Sequence, residues 1–405
     1  MQEEVPLKKV ALFTGGIDRH YASGLWGSLA GMGVQVDVIC NAEMKDNGAS
    51  VQSNLDFLTL YASPKAGRGK IAKLLTFLQV YWRLMMYAAT TPAKVFHILW
   101  NYRIPLFDRT ILLLYYKLLG KRVVFTAHNI NAAERDGSDS FLNRLSLRFQ
   151  YRNVDQIFVH TELMKRQLIE SFGVRERNVC VIPFGTYDVV PATALSSREA
   201  KRSLGLKPEE KAILFFGRIA PYKGVDLLVD AFQRVSRNDA RYRLIIAGEP
   251  MKDAETQWRA IQSVIESSDV KDRVVQHAKF IEDNEIEVYL KAADVLVLPY
   301  TQIFQSGVLF MSYSFGLPVI ATNVGSFSDD IVEGETGFIC RPADAEDLAR
   351  SIELYFSSEL YRNLDERRGK IRSFVQASHS WDKAALLTVQ VYERLTRSKE
   401  LEYST

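Results

Sequence analysis

In the second half of this chain an apolar run leads into Phe215-Phe216-Gly217-Arg218-Ile219-Ala220-Pro221-Tyr222-Lys223-Gly224, and a helical pattern follows. One strand-to-helix turn thus carries both a guanidinium and an ammonium. The first is a rigid fork of donors and the second a mobile point charge, a pair suited to a diphosphate whose charge grows as it leaves. A second turn, Phe13-Thr14-Gly15-Gly16-Ile17-Asp18-Arg19-His20, follows the first apolar run. Its glycines permit a tight turn and close approach to a ligand, and Asp18 is placed to cap the next helix. Read alone, that loop is equally a plain turn that needs glycine. A third, Gln305-Ser306-Gly307-Val308, precedes an apolar helix. Ser306 as cap and Gly307 in the first turn would present backbone N–H groups to an anion, although a well-capped core helix reads the same way.

These loops act together only if regular elements hold them at a common edge. Short apolar runs alternate with longer helical patterns, which predicts α/β units with parallel sheets. In the first half, strands are expected at Val10 to Phe13, Val34 to Cys40, Val95 to Leu99, Val123 to Thr126, Gln156 to His160 and Val179 to Pro183. In the second they are expected at Ala212 to Phe216, Arg243 to Ala247, Asp294 to Pro299, Val319 to Thr322 and Phe338 to Cys340. Helical patterns cover Tyr21 to Ala30, Lys70 to Tyr87 and Arg109 to Leu119. The helix after Gly224 should bury Leu227, Leu228, Ala231, Phe232 and Val235. The strand runs are continuous rather than alternating, as when helices cover both faces. Pro191, Ala192, Ser196 and Ser197 mark a boundary between Thr186 and Lys207. The expected fold is α/β, with two Rossmann-like doubly wound domains, 1–190 and 200–378, and a cleft between them. Such folds bind ligands at the carboxyl ends of their strands.

Composition narrows the function classes. At 405 residues, two or three domains are expected, and 47% hydrophobic with 24% charged residues is a globular balance. A net charge of +3 gives no argument for nucleic acid. Cys40, Cys180 and Cys340 lie far apart, which fits a reducing compartment and offers neither a disulfide framework nor a metal site. The opening MQEEVPLKKVALF lacks a signal-peptide core, and Ile111 to Leu119 is too short to span a bilayer. A cytoplasmic protein is expected. The pair Asp329-Asp330 reads as a solvated loop rather than a metal ligand set.

Taken together, Gly15-Gly16, the stretch from Phe216-Gly217-Arg218 to Lys223-Gly224, and Phe315-Gly316-Leu317-Pro318-Val319-Ile320-Ala321-Thr322 resemble the retaining GT-B glycosyltransferases. So does Glu333-Gly334-Glu335-Thr336-Gly337-Phe338 followed by Pro342-Ala343-Asp344. The family includes many bacterial polysaccharide and glycolipid enzymes, and the resemblance covers nearly the whole chain. It implies a hexosyltransferase-type enzyme that moves a sugar from a UDP- or GDP-linked donor to a hydroxyl of a saccharide or polyprenyl-diphosphate-linked acceptor. By the same resemblance, Arg218 and Lys223 bind the donor diphosphate from the turn at Gly217. Ser306, Gly307 and Val308 give backbone contacts to phosphate, and Gly16 approaches it from the opposite domain. The backbone around Phe280 and Ile281 meets the base. His128, in Thr126-Ala127-His128-Asn129, matches a family histidine near the transferred sugar, where a neutral imidazole can hydrogen-bond it. His160 also ends a strand, and for it the structural reading is preferred. The segment 381–397 resembles a helix that crosses back to the first domain. The implied route is front-face, with the leaving diphosphate helping to deprotonate the acceptor, and no metal or other cofactor is required.

The pattern breaks at two family glutamates, which align with Ile303 and Met311. Either Gln302 or Gln305 replaces the missing acceptor of hydrogen bonds, or the chain is a degenerate member that binds a nucleotide or a partner without turnover. The acceptor is less legible. Residues 65–87 combine Lys65, Arg68, Lys70, Lys73 and Arg83 with many apolar and aromatic side chains and no acid. One reading is contact with an anionic membrane surface at the inner face of the cytoplasmic membrane, in surface-polysaccharide assembly. The other is an ordinary helix with a buried face.

Overall fold

The computed structural model describes residues 9–46, 52–62, 70–186 and 192–402. It divides into two compact units, Met1–Gly185 with Ser380–Thr405, and Thr186–His379. Lys65 and Arg68 of the basic stretch, and Pro191 of the boundary segment, lie outside the described residues.

In the first unit a seven-stranded parallel sheet is built from β1 (Val10–Phe13), β2 (Val36–Ile39), β3 (Leu55–Leu58), β4 (Val95–Ile98), β5 (Arg122–Thr126), β6 (Gln156–Val159) and β7 (Val179–Val181). The order is β3-β2-β1-β4-β5-β6-β7. Every residue of β1, β2, β4 and β6 is buried, which is why those runs carry no alternation. The sequence reading lacks β3. It is an edge strand with only half-buried or exposed side chains, so Asp56 interrupts what would otherwise be an apolar run. The helix expected at Arg109 to Leu119 is also different in detail. It begins with a short turn at Pro105–Phe107, passes through a π-helical turn at Asp108–Leu112 and continues as Leu113–Leu118.

The closing helix Trp381–Glu402 belongs to this unit and packs on the helix Arg19–Gly31 and on β4. The indole of Trp381 lies where a Cβ on Gly24 or Gly185 would fall. Further along, the Tyr392 hydroxyl is 2.6 Å from His97 Nδ1, and Arg394 donates to Gln156 Oε1 at 2.6 Å. The other ring nitrogen of His97 is 2.7 Å from Thr126 Oγ1. Both polar ends of a buried imidazole therefore hold the closing helix and neighbouring strands together.

The second unit has a six-stranded parallel sheet of β8 (Lys211–Phe216), β9 (Tyr242–Ala247), β10 (Val274–His277), β11 (Val295–Leu298), β12 (Val319–Thr322) and β13 (Gly337–Cys340). Its order is β10-β9-β8-β11-β12-β13. The missed strand here, β10, is again at an edge and half-exposed throughout. The helix Val225–Ser236 buries Val225, Leu228, Val229, Ala231, Phe232 and Val235 at helical spacing, against the helix Ala345–Ser357. Leu227 is only half-buried, and Val229 takes the core position assigned to it. At the start of the sheet Asp294 is buried, yet it accepts from Lys201 Nζ and Ala212 N, both at 2.8 Å. With all strands parallel, the loops after β8, β10 and β11 open on one edge.

Candidate functional site

In the second unit, Gly217 follows directly on β8. Gly217 has φ 106°, a conformation that side-chain-bearing residues rarely adopt, and its amide is tied to Ala247 O at 2.9 Å. A Cβ there would lie 3.3 Å from Lys223 Nζ and 3.5 Å from Val308 Cγ2. Gly217, Lys223 and the first turn of the helix Gly307–Ser314 are therefore brought together. Lys223 is 8% exposed, with its ammonium 5.5 Å from the centroid of the Tyr300 ring. Arg218 is unlike it: its side chain is 65% exposed and its Nε lies 3.7 Å from Glu249 Oε1.

Ser306 is the N-cap of the helix Gly307–Ser314 and is buried, but its side chain makes no capping bond. Its backbone carbonyl accepts from Leu309 N, and Gly307 and Val308 sit where a helix has no carbonyl one turn earlier to receive their N–H groups. The preceding segment is fixed by Ser326 N, which donates to Phe304 O at 2.9 Å. Gln305 is half-buried, with its Oε1 buried and unpartnered among the described residues, whereas Gln302 is exposed. Met311 faces the core, and Ile303 is half-buried. Phe280 has an exposed side chain and Ile281 a buried one, in the loop after β10.

The pair Asp329-Asp330 is corrected by the structure. It closes a short helix, Phe327–Asp330, and only Asp329 is exposed. Asp330 is buried and accepts from Ser326 Oγ at 2.6 Å, and burial raises its pKa to about 6 against the Ser326 and Gln305 side chains. Among the described residues no group of acids, histidines or cysteines could hold a metal ion.

In the first unit, the glycine loop and His128 share one wall. Gly15 and Gly16 both have positive φ, 63° and 72°. A Cβ on Gly15 would lie 2.8 Å from Trp100 Cβ, while the nearest atom to one on Gly16 would be Asn41 Nδ2 at 3.5 Å. Asp18 caps the following helix by accepting from Tyr21 N at 3.0 Å. His128 stacks on Trp100 at 4.1 Å, with 8° between ring planes, and meets the edge of Tyr21 at 4.5 Å.

The structure also assigns the His128 tautomer. Ile182 O, an acceptor only, is 3.3 Å from His160 Nδ1, so that nitrogen carries the hydrogen. Neutral His160 must then accept at Nε2 from His128 Nδ1, 3.2 Å away. This leaves His128 Nε2 as a bare acceptor, buried and without a partner among the described residues. Burial, with the nearby His160 and His97, holds the His128 pKa well below 6.5, and burial lowers that of His160 to about 4. His160 thus orients His128. Trp100 and Tyr21 escaped the sequence reading, although Trp100 directly follows a strand end, where ligand contacts concentrate.

Residues 196–371 match the family of glycosyl transferases group 1, and residues 14–186 match glycosyltransferase family 4. The chain belongs to the GT-B glycosyltransferases. Among its curated relatives, a D-inositol 3-phosphate glycosyltransferase of Nocardia farcinica is 28% identical over 239 residues, 57% of this chain and 52% of the relative. A mannosylfructose-phosphate synthase of Agrobacterium fabrum is 28% identical over 53% of this chain and 48% of its own. The chain spans about half the length of such relatives. Two solved structures share the fold of this GT-B chain. The sucrose-phosphate synthase from Thermosynechococcus elongatus aligns with a TM-score of 0.75 at 19% identity, covering 96% of this chain and 100% of that one. Anabaena HepE, solved with UDP and glucose, aligns at 0.73 and 16% identity with the same coverage.

Proposed function

We propose that this chain is a retaining hexosyltransferase that moves a sugar from a UDP- or GDP-linked donor to a hydroxyl of a saccharide or lipid-linked saccharide. The observation that carries the reading is the convergence of the buried Lys223 ammonium, the Gly217 turn and the helix start at Gly307 and Val308. An ammonium and a helix N-terminus attract phosphate oxygens, and a glycine lets them approach the backbone. Arg218, exposed and only loosely paired with Glu249, is free to swing onto the diphosphate. HepE carries UDP and glucose in its structure, which favours a UDP-linked donor. In the front-face route, Arg218, Lys223 and the helix start stabilise the leaving diphosphate, whose oxygen takes the proton of the incoming hydroxyl. His128 accepts a hydrogen bond from a hydroxyl of the transferred sugar through Nε2. Gln305, with its buried carbonyl oxygen unpartnered among the described residues, fits the role of the missing glutamate better than the exposed Gln302.

A thermal-shift screen with UDP, GDP and ADP, followed by turnover assays on UDP- or GDP-sugars, tests this. Stabilisation by one nucleotide together with slow hydrolysis of a matching sugar nucleotide is expected. The second reading, a nucleotide-binding subunit without turnover, is favoured by Ile303 and by the buried Met311; stabilisation without hydrolysis of any sugar nucleotide would establish it.

An anionic membrane surface is the proposed site of action. The helix Lys70–Thr90 buries Val80, Tyr81, Leu84 and Ala88, but exposes Ile71, Leu74, Leu75, Leu78 and Trp82. Neither reading of this helix holds alone, because one half is core and the other is not. Lys73 and Arg83 are exposed on the same helix, and no described helix is long and apolar enough to cross a bilayer. Co-sedimentation with phosphatidylglycerol vesicles, but not with phosphatidylcholine vesicles, is expected, and Leu75→Glu with Trp82→Glu should abolish it.

A further inference from the structure

The loop after β12 makes none of the donor contacts described above, yet it is locked to the segment that carries them. Gly325 has φ 61°, and a Cβ there would fall on the carbonyl oxygens of Ile303 and Phe304. Ser326 N donates to Phe304 O at 2.9 Å, next to Gln305. A glycine and one amide thus hold two loops in contact. The residue they bring to Gln305 is Asp330, at the end of the short helix Phe327–Asp330.

Asp330 is 7% exposed. Its Oδ2 accepts from Ser326 Oγ at 2.6 Å, and the Gln305 side chain hydrogen-bonds the same carboxylate. His379 Nε2 lies 3.8 Å from Oδ1, beyond hydrogen-bond reach, and its ring packs on Phe310 at 4.4 Å. The Tyr313 hydroxyl donates to the backbone carbonyl of Asp330, not to its carboxylate, and Asp329 adds a like charge. Among the described residues no lysine or arginine pairs with Asp330. Burying an acid in this way costs stability, and a neutral asparagine would avoid that cost. Folding alone therefore gives no reason for an acid here.

An ionised carboxylate accepts hydrogen bonds and cannot donate them. It therefore takes the Nε2 end of the Gln305 amide and turns Oε1 away from itself. That Oε1 is buried and has no partner among the described residues. It belongs to the residue just before Ser306 and the helix start at Gly307. Buried acceptors normally meet a donor, and a sugar hydroxyl is one. A neutral carboxyl could instead donate its own O–H to Oε1, and the amide would turn over. The charge on Asp330 thus decides which end of Gln305 faces a ligand.

We propose that Asp330 is a positioning residue for the donor sugar: ionised, it holds the Gln305 amide by Nε2 and so presents Oε1 to a hydroxyl of the transferred sugar. The proposal rests on the transferase reading and on Gln305 standing in for the missing glutamate. Asp330 itself does not touch the sugar. Burial raises its pKa to about 6, so the carboxylate holds Gln305 above that value and releases it as pH falls through it.

The test compares UDP-glucose and UDP-galactose with UDP, and GDP-mannose with GDP, by calorimetry on the full chain. At least one sugar nucleotide should bind the wild type. Asp330→Asn should weaken it about two- to tenfold, leave the parent nucleotide unchanged, and melt at the wild-type temperature or above near neutral pH. Gln305→Ala should have an effect of similar size, and adding Asp330→Asn to it should weaken binding no further, because nothing is left to position. Wild-type affinity for the sugar nucleotide should fall as pH drops through about 6, and that of Asp330→Asn should not. Should Asp330→Asn fold poorly, Ser326→Ala keeps the carboxylate but removes a donor to it, and should move that fall to higher pH. A sugar nucleotide and its parent weakened equally, effects that multiply in the double variant, a pH dependence shared by Asp330→Asn, or one unmoved by Ser326→Ala would each overturn the proposal. If UDP or GDP binds while no sugar nucleotide binds or these comparisons fail, the positioning role alone falls; if neither nucleotide binds, the transferase reading falls with it.

Discussion

Replacing Lys223 by methionine removes an ammonium but keeps an unbranched apolar chain of similar length. The side chain is 8% exposed and its Nζ lies 3.3 Å from the place a Cβ on Gly217 would occupy. A nucleotide phosphate seated on that glycine would thus contact the ammonium directly. A hydrogen bond to a charged group is worth about 1.5–3 kcal/mol, so nucleotide affinity should weaken roughly ten- to a hundredfold. The buried setting favours the upper part of that range, and the effect should change little with ionic strength, because salt screens buried pairs weakly. Arg218→Met is the natural comparison. Its side chain is 65% exposed and 3.7 Å from Glu249, so its effect should be smaller and should shrink as salt rises. Calorimetric titration of UDP and GDP at low and high salt, with thermal melts as a folding control, gives both numbers. If Lys223→Met folds normally and binds the nucleotide as tightly as the wild type, the ammonium is not part of a diphosphate site and the assignment of the β8 turn fails.

Three other outcomes follow from the same geometry. Gly16→Ala should cost about 1–2 kcal/mol of stability for its positive φ. Gly15→Ala, whose Cβ would press on Trp100, should lower the melting temperature further; equal melting temperatures for the two variants would refute that packing argument. His160 and His97, with pKa values lowered to about 4 and about 3 by burial, are neutral when folded and take up protons on unfolding. Their stabilisation is complete above pH 6.5 and is lost as pH falls through their folded values, so melting temperature should drop between pH 6.5 and 4, and His97→Gln should flatten that limb. Gln305→Ala should reduce sugar-nucleotide turnover more than Gln302→Ala does; equal effects in a kinetic comparison would refute Gln305 as the substitute acceptor.

The chain's local chemistry is legible in one dimension. Continuous apolar runs such as Val10–Phe13 and Val319–Thr322 identify central strands, because a parallel strand covered on both faces tolerates few polar side chains. The glycine loop and the Gly217 to Gly224 turn are short segments whose residue types are fixed by their own backbone geometry. Edge strands are different. Leu55–Leu58 and Val274–His277 pair on one side only and stay half-exposed, so they carry Asp56, Gln276 and His277, and no apolar run announces them.

Sequence alone therefore determined the class of fold and the turns that carry charge, because both depend on residues close together in the chain. Only tertiary structure decided which groups lost their water and what they then faced. The line from Ile182 through His160 to His128 crosses the ends of β7, β6 and β5, which are adjacent in the sheet though far apart in sequence. Asp330 was readable as an exposed acid until Ser326 and the fold closed over it. Protonation and hydrogen bonding follow from desolvation and from the partners within reach, and both are set by neighbours the parallel sheet supplies.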